Sequence, residues 1–531
     1  MSFALRFVEK TFAVSAAVVV LAACSPAATT GTAEKPTVPG GTVTVRLTGD
    51  WVHLDPQNPS NPGNMSSETI KRALYDTLIA VGPDGNLVPY LAKSWKQTPT
   101  SIEFTMRNDA TCSDGTKLTA TAIKNSFERG VKHVSAAPNL GPGPYSLAAD
   151  DATDTFTWST QTPESDAIYY FARYAAIVCP AGLANPSALL TTAQGSGPYV
   201  LEDAVQGDHL TVKLRPDWNW GPLGLTAKSP GLPERIIFKV VTNETTAANL
   251  LLTGGLDIGQ VSGPDVDRLL ANKDLTNKTA IAPIDFVLTF NHSPDRPTAD
   301  PKVREALASA IDPNTWNHIV YEDRGFVSPS FLTPRADCYD ASVTQYLPTD
   351  PGPERTKQIL IAAGWTLVNG KFEKGGKPLV INLVSTTEGF GSGPEYLDAT
   401  WENAGITVKF DLLDAATFIQ RHIQGDFDAD VQVNSSETAS PLAGAALLLG
   451  AAPPVGINFS RSVNPEAEEE FALARSTQGA ERCQHWSNVQ RLLLQSYDIL
   501  PLAAPAIQWF SRNLDFAPGV TVNVRYIRRV K

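Results

Sequence analysis

The side chains that could do metal or acid–base chemistry are spread thinly along the chain. No two of the seven histidines have the spacing of a zinc-binding helix; they are His53, His133, His209, His292, His318, His422 and His485. The sequence has no C-x-x-C pair, no H-E-x-x-H motif, no G-x-S-x-G elbow and no phosphate-binding loop. We therefore expect no enzyme, no resident metal and no cofactor. A catalytic set that assembles only in the folded chain stays the alternative.

Cys24 carries a different chemistry, because the residues before it predict lipid attachment. A basic start precedes an apolar stretch, residues 12–23, which is the order of a secretory signal and is short for a membrane span. The stretch ends in Leu21-Ala22-Ala23-Cys24, which matches the lipobox of bacterial lipoproteins. We expect a signal peptide over 1–23, lipidation of Cys24 and a flexible tether over 24–39. The alternative is an ordinary signal peptide with an incidental cysteine.

Four further cysteines form an even set, as expected for disulfides in an exported protein: Cys112, Cys179, Cys338 and Cys483. Three pairings are possible, and four unpaired, mostly buried thiols are the alternative.

Length and charge narrow the class of protein. The 531 residues are 42% hydrophobic and 18% charged, which is typical of a globular chain with two or three packed units. No apolar run after the signal is long enough to span a bilayer. A net charge of −12 argues against nucleic acid and against a basic membrane-binding face.

Strand and helix patterns alternate along the body without a fixed repeat. Period-two alternation predicts a strand over Thr42–Leu47. Asp300 and Pro301 predict the clearest helix start, followed by an apolar stripe through Ile311. The other predicted elements are helices over 66–79, from Thr119 to Gly130, 353–364 and 483–497, and strands over 379–384 and 406–412. The class is α/β or α+β, in more than one unit.

Ordered motifs from Gly40 to about Pro501 resemble the extracytoplasmic solute-binding proteins of peptide and nickel ABC importers, solute-binding family 5. They occur in family order: Gly40-Gly41-Thr42-Val43-Thr44-Val45, Leu54-Asp55-Pro56, Val88-Pro89-Tyr90-Leu91-Ala92-Lys93-Ser94-Trp95, Ser113-Asp114-Gly115-Thr116, Gly195-Ser196-Gly197-Pro198-Tyr199, Val303-Arg304-Glu305-Ala306-Leu307 and Gly425-Asp426-Phe427-Asp428-Ala429. Most of these residues are expected to set turns, caps and packing rather than to contact a ligand.

The resemblance implies an α/β fold of the periplasmic-binding-protein type II, with two lobes, a ligand between them and an extra subdomain on lobe I. Lobe I would comprise 40–55, 195–289 and 501–531, the subdomain 56–194, and lobe II 290–500. The chain would cross between the lobes near Phe290 and near Leu500, and closure would be a hinge motion. This layout favours the pairs Cys112–Cys179 and Cys338–Cys483, because each pair then stays within one unit.

The segment after Asp428 is where ligand recognition is expected. Many peptide-binding members have an aromatic residue there and, shortly after it, an aspartate that meets the ligand's ammonium. This chain has Asn434 and Glu437 at those positions, with Ser435 beside them, and all three are expected ligand contacts. Arg421 would face a ligand carboxylate, or instead form a surface ion pair with Asp426 or Asp428. A solvated loop is the alternative for Glu437.

By this resemblance the protein is an extracytoplasmic lipoprotein, anchored to the cell membrane, that serves an ABC importer. It would be a monomer that binds a short peptide or similar amphoteric solute and contacts the permease subunits. A nickel- or haem-binding protein, a stand-alone sensor or chaperone without transport, and an extracytoplasmic hydrolase are the alternatives.

Overall fold

A computed structural model describes residues 36–58, 64–133, 140–141, 143–282, 284–386, 390–435 and 440–531. The expected signal peptide and Cys24 lie outside the described residues. The fold below is that of the unit Thr37–Lys531. Among the helices of the described ranges, none combines the length and the apolar character that a membrane span requires.

The strands are numbered in chain order. They are β1 (Thr42–Leu47), β2 (Ile79–Val81), β3 (Leu87–Pro89), β4 (Ala92–Thr98), β5 (Ser101–Met106), β6 (Tyr145–Asp150), β7 (Thr155–Thr160), β8 (Tyr199–Val205), β9 (His209–Leu214), β10 (Arg235–Val240), β11 (Ile258–Gln260), β12 (Thr276–Ile281), β13 (Ile284–Phe290), β14 (Thr366–Val368), β15 (Lys371–Lys374), β16 (Lys377–Pro378), β17 (Val380–Thr386), β18 (Thr407–Leu413), β19 (Ala429–Ser435), β20 (Ile499–Pro501), β21 (Ala506–Ser511), β22 (Leu514–Asp515) and β23 (Arg528–Arg529).

The α-helices are numbered in the same way. They are α1 (Met65–Leu74), α2 (Ala120–His133), α3 (Ile168–Arg173), α4 (Pro180–Ala184), α5 (Glu244–Thr253), α6 (Asp265–Leu270), α7 (Pro301–Ser309), α8 (Pro313–Tyr321), α9 (Pro353–Ala362), α10 (Gly393–Asn403), α11 (Ala415–Gln424), α12 (Pro441–Ala445), α13 (Pro465–Ser476) and α14 (Gly479–Gln495). Short 3₁₀ helices cover Pro186–Leu190, Pro222–Gly224, Pro297–Ala299, Ala341–Tyr346 and Val524–Tyr526.

Two large β-sheets form the centre of the two lobes. A seven-stranded sheet has the order β12-β21-β11-β1-β10-β9-β8, in which β1 is parallel to both β10 and β11. A five-stranded sheet has the order β18-β17-β19-β13-β20, in which β17 is parallel to β18 and β19. We call residues 284–501 lobe II and the rest of the described chain lobe I.

The first crossing between the lobes differs from the expected position near Phe290. The whole of β13 pairs with β19 and β20 in the five-stranded sheet, so the chain leaves lobe I between Ile281 and Ile284. Alternation marks a strand but does not specify the sheet that it joins, which is why the sequence placed this boundary too late. The second crossing lies between Pro501 and Ala506, close to the expected position.

The expected subdomain over 56–194 is divided between two cores. A four-stranded sheet, β4-β5-β7-β6, builds one core with Phe104, Phe156 and Phe171. Helix α1 instead packs Ile70 and Leu74 into the core of the seven-stranded sheet. Part of this segment therefore belongs to the main body of lobe I.

Local sequence patterns predicted the bounds of several elements correctly. Strand β1 has the predicted bounds, and Asp300 caps α7 by accepting a hydrogen bond of 2.9 Å from the Lys302 backbone N–H. The predicted end of α2 at Gly130 is wrong, because the helix runs on to His133. A Cβ on Gly130 would lie only 3.3 Å from the Gln57 side chain, so close packing rather than helix termination accounts for this glycine.

Helix α1 ends at Leu74, before its predicted end at Ile79, because the following apolar residues form β2 instead. A short apolar run does not distinguish a helix from a strand.

Two disulfides join the four cysteines of the described chain. Cys112 bonds to Cys179, and Cys338 bonds to Cys483. These are the pairs that the two-lobed layout favours. The second bond ties a loop of lobe II to the first turns of α14.

Candidate ligand cleft

Both sheets direct the carboxyl ends of their parallel strands toward the two crossings. In lobe I, Ile281 and Ala506 pair beside the end of β11. In lobe II, the end of β19 at Ser435 pairs with the start of β13 at Ile284. Ligands of open α/β sheets bind outside the carboxyl ends of the strands, so the facing edges of the two sheets define the candidate cleft.

The expected contacts after Asp428 are only partly described. The backbones of Asn434 and Ser435 form the last two residues of β19, at the cleft edge of lobe II. Glu437 lies outside the described residues.

Arg421 on α11 lines neither of the cavities described below. Its Nε donates to the Asp426 carbonyl oxygen at 2.8 Å, and its Nη1 donates to Asp411 at 3.1 Å. It also forms an ion pair of 2.8 Å with the Asp426 carboxylate. Its position is thus the surface ion pair that the sequence left open.

A first cavity of ≈ 130 Å³ lies against α1 and the C-terminal segment 517–526. Five cationic side chains line it within the described chain: Lys71, Arg72, Arg173, Arg335 and Arg525. Glu68 is the one carboxylate among the described lining residues. A positive excess of this size in a protein of net charge −12 favours an anionic ligand group.

The carboxylate of Glu68 is held ionised by this setting. Burial by itself would raise the pKa of Glu68, but Lys71, Arg173 and Arg72 together hold that pKa below its ordinary value. Lys71 also donates a hydrogen bond directly to Glu68. The charge of Lys71 is thereby neutralised within the cavity wall.

Arg525 is anchored from behind the cavity. Its Nη2 donates to the Tyr75 carbonyl oxygen at 2.6 Å and lies 3.4 Å from the fully buried Asp76. Burial raises the pKa of Asp76, although Arg525, Tyr90 and Trp220 each act to lower it. This support fixes the position of the Arg525 guanidinium at the cavity wall.

A second cavity of ≈ 470 Å³ adjoins the crossings and is lined by both lobes. Its wall is mainly apolar, with Met65, Val261 and Ile507 from lobe I and Val320 from lobe II. Val520 lines both cavities, and α1 reaches both through Met65 and Glu68. The two cavities are therefore neighbouring parts of one cleft.

Glu244 is one of two described carboxylates that line the second cavity, the other being Glu322, and lobe I already neutralises Glu244. Arg46, whose side chain has 0% exposure, forms a 2.8 Å ion pair with it. The Ser262 backbone N–H also donates to Glu244 at 2.9 Å. Glu244 therefore orders the end of β1 and β11 rather than offering a free charge.

The cationic wall was not found from the sequence, because its members come from distant parts of the chain. Lys71 and Arg72 lie off the apolar stripe of α1, and that position was a usable signal. Arg173, Arg335 and Arg525 show no sequence pattern that links them.

One group of side chains lies close enough together to hold a metal ion: Asp337, Cys338 and Cys483. Both sulfurs are in a disulfide, so they do not act as thiolate ligands.

Comparison with known proteins places the chain in a family context. Residues 86–453, more than half of the chain, match the family model of bacterial extracellular solute-binding proteins, family 5 Middle. The chain is 25% identical to the nickel-binding periplasmic protein of Escherichia coli (strain K12) over 415 residues, which cover 72% of this chain and 74% of the relative. It is 26% identical to the periplasmic oligopeptide-binding protein OppA of the same strain over 448 residues, which cover 77% and 76%.

The fold is also similar to a solved structure with a bound small molecule. This is the crystal structure of a substrate binding protein from Microbacterium hydrocarbonoxydans complexed with 4-hydroxybenzoate hydrazide. The TM-score is 0.71 and the identity 25%, over 92% of this chain and 100% of that one. The expected two-lobed α/β fold is confirmed.

Proposed function

Because the chain belongs to family 5 of the bacterial extracellular solute-binding proteins, we propose that it captures a short peptide or a similar amphoteric solute between its lobes and delivers it to the permease of an ABC importer. The relatives are binding proteins, and the chain is a binding protein rather than an enzyme. The solute would be held by lobe closure and released unchanged.

The observation that carries this proposal is the cationic wall of the first cavity. Five cations face one carboxylate there within the described chain, and four of the five are arginines. A planar guanidinium binds a carboxylate through two parallel hydrogen bonds, and such charge-assisted bonds are about twice as strong as neutral ones. The carboxylate end of a peptide fits this wall.

The remaining parts of the solute would lie toward the second cavity and β19. The apolar wall around Val261 and Ile507 suits an aliphatic or aromatic group. Asn434, Ser435 and Glu437 remain our proposed contacts for the polar, ammonium-bearing end. Nickel is a weaker candidate, since no histidine lines either cavity among the described residues.

The anchor completes the proposal. Lipid on Cys24 would keep the receptor near its permease, because two or three acyl chains hold a protein on a membrane far better than one. The tether after Cys24 would leave the lobes free to reach the permease.

Calorimetric titration of the purified protein with alanyl-alanine and trialanine, each against its C-terminal amide, tests the proposal. We expect the free acids to bind more tightly than the amides by about tenfold or more, which is the value of a lost charge-assisted hydrogen bond. Equal binding of acids and amides would contradict a carboxylate site. Co-purification of permease subunits distinguishes a transport receptor from a stand-alone sensor or chaperone.

A further inference from the structure

The charged side chains on the described wall of the second cavity are all in ion pairs. Three such side chains line it, namely Glu244, Glu322 and Arg324. Arg46 forms its 2.8 Å ion pair with Glu244, and Arg324 donates a hydrogen bond to Glu322. Charges that already satisfy each other offer little to an ionic group, so the cavity favours an uncharged part of the solute.

An ion pair between the lobes lies at the rim of this cavity. The Nη2 of Arg324, in lobe II, donates to Asp267 of lobe I at 3.1 Å. The Asp267 side chain is 74% exposed, whereas its neighbour Val266 is buried and lines the cavity. The polar rim and the apolar interior are thus contributed by both lobes together.

Tyr321, at the end of α8, is the one aromatic residue among the described residues that line the cavity. Its ring stacks on Phe286 of β13, with the ring centroids 6.3 Å apart and the planes 20° from parallel. Phe286 in turn meets Phe390 edge-to-face at 4.9 Å, and both are buried in the core of lobe II. The Tyr321 ring is therefore supported by buried rings.

Gly325 fixes the same ring from a second side. A Cβ on Gly325 would lie 2.6 Å from Cδ2 of the Tyr321 ring and 3.1 Å from the Ala504 carbonyl oxygen. The backbone of the turn after α8 therefore lies directly against the ring and against the second crossing. Phe326 in that turn also forms an isolated β-bridge with Ala504. Because the ring is already held in place, a solute that contacts it does not have to order it first.

The lobe I side of the cavity consists mainly of branched aliphatic side chains. Val261, Val266 and Ile507 line it there, and Met65 adds a flexible thioether. The cavity volume is ≈ 470 Å³, compared with ≈ 130 Å³ for the first cavity. A dry apolar cavity of about 150 Å³ already takes up benzene, so the second cavity has room for an aromatic ring.

We propose that the second cavity is a subsite for an aromatic group of the solute, and that Tyr321 is the residue that selects for it. The inference rests on the proposed function, in which the first cavity holds the carboxylate. Aromatic rings prefer offset-stacked or edge-to-face contacts, which contribute beyond the area that they bury. An aliphatic group of the same size would bury the area but would lack the ring contact. The preferred solute is then a short peptide with an aromatic side chain.

Calorimetric titration with alanyl-phenylalanyl-alanine and with its cyclohexylalanine analogue tests the choice of an aromatic group, because the two side chains are nearly equal in size. We expect Tyr321→Leu to lower the ratio of the first affinity to the second by about threefold to tenfold. Tyr321→Phe keeps the ring and should keep the wild-type ratio. Tyr346→Leu should also keep it, since Tyr346 is a half-buried tyrosine of lobe II that lines neither cavity. An unchanged ratio in Tyr321→Leu would contradict the selection by Tyr321.

Binding of p-cresol, which carries the tyrosine ring without a peptide, tests the subsite by saturation-transfer NMR. We expect wild type to bind p-cresol and Tyr321→Leu to bind it about threefold or more weakly. Ile507→Trp fills the cavity from the lobe I wall and should abolish this binding. If wild type does not bind p-cresol, or if either variant binds it as tightly as wild type, the inference is wrong. Failure of both peptides to bind while p-cresol binds as expected would count against the proposed peptide function alone.

Discussion

The Arg475 guanidinium donates a hydrogen bond of 2.8 Å to the Glu164 carboxylate across the boundary between the lobes. The side chain of Glu164 has 0% exposure, and the Ser165 backbone N–H donates to the Arg475 carbonyl oxygen at 2.9 Å. A carboxylate is thus buried in the contact that brings the lobes together. The stability of this contact therefore depends on whether Glu164 is protonated.

Glu164 should make stability depend on pH. Burial raises the pKa of Glu164 from 4.5 to about 7, with Asp166 raising it further and Arg475 lowering it. Because the folded pKa is above the unfolded one, the contribution is fully present below about pH 4.5 and is lost as pH rises through about 7. The free energy of unfolding should fall by about 3 kcal/mol over this window from this group alone.

Urea unfolding at a series of pH values measures this contribution of Glu164. The free energy of unfolding of Glu164→Gln should depend less steeply on pH than that of wild type between about pH 5 and pH 7. Glu103→Gln, at a partly exposed strand position, is the control and should keep the wild-type slope. An unchanged slope in Glu164→Gln would show that Glu164 does not titrate in this range.

Removal of Arg482 should destabilise the protein strongly. Asp166 has 0% exposure and pairs with Arg482, so Arg482→Met leaves a buried carboxylate whose one remaining side-chain donor among the described residues is Trp486. Loss of one partner of a buried pair costs about 3–5 kcal/mol. Arg491→Met on the same helix is the control, with an expected change below about 0.5 kcal/mol in urea unfolding. Similar values for the two variants would contradict the burial of this pair.

Arg173→Met should weaken the binding of carboxylate-bearing peptides without unfolding the protein. Arg173 lines the first cavity and lowers the pKa of Glu68, so its loss removes positive charge from the ligand wall. We expect the affinity for trialanine to fall by about tenfold in calorimetry. Lys96→Met, whose side chain is 88% exposed on β4, should leave that affinity unchanged. An effect on the amide as large as that on the acid would point to general disruption.

Cys24→Ser should abolish membrane attachment. Metabolic labelling with a palmitate analogue is expected to mark the wild-type protein in the membrane fraction and to leave the variant unlabelled. Cys112→Ser is a matched control, because Cys112 is bonded to Cys179 and should not change the labelling. If Cys24→Ser is still labelled, the lipid is attached to a residue other than Cys24.

The parts of the fold that depend on neighbouring residues were predictable from the sequence. Strand β1 follows from alternation, and the start of α7 follows from the Asp300 cap and Pro301. The sheet partner of β13 did not follow, because pairing is decided by residues more than a hundred positions away at β19. The residues of the candidate ligand site could not be predicted for the same reason, because they are distant from one another in the sequence.

The ligand wall shows that limit most clearly. Arg173, Arg335 and Arg525 meet in one cavity although about 350 residues separate the first from the last. Each of them alone is typical of a surface arginine, and only the fold brings their charges together. For Arg421, a motif position left two interpretations open, a contact with a ligand carboxylate or a surface ion pair, and the structure pairs it with Asp411 and Asp426.

Capture of a carboxylate-bearing solute is tested most directly by native mass spectrometry of the protein purified without denaturation, followed by identification of the released molecule. We expect one small solute per chain that bears a carboxylate, is recovered chemically unchanged after incubation and is lost from Arg173→Met. A bound nickel ion or haem, a solute without an acidic group, or conversion of the solute to a product would contradict the proposed function.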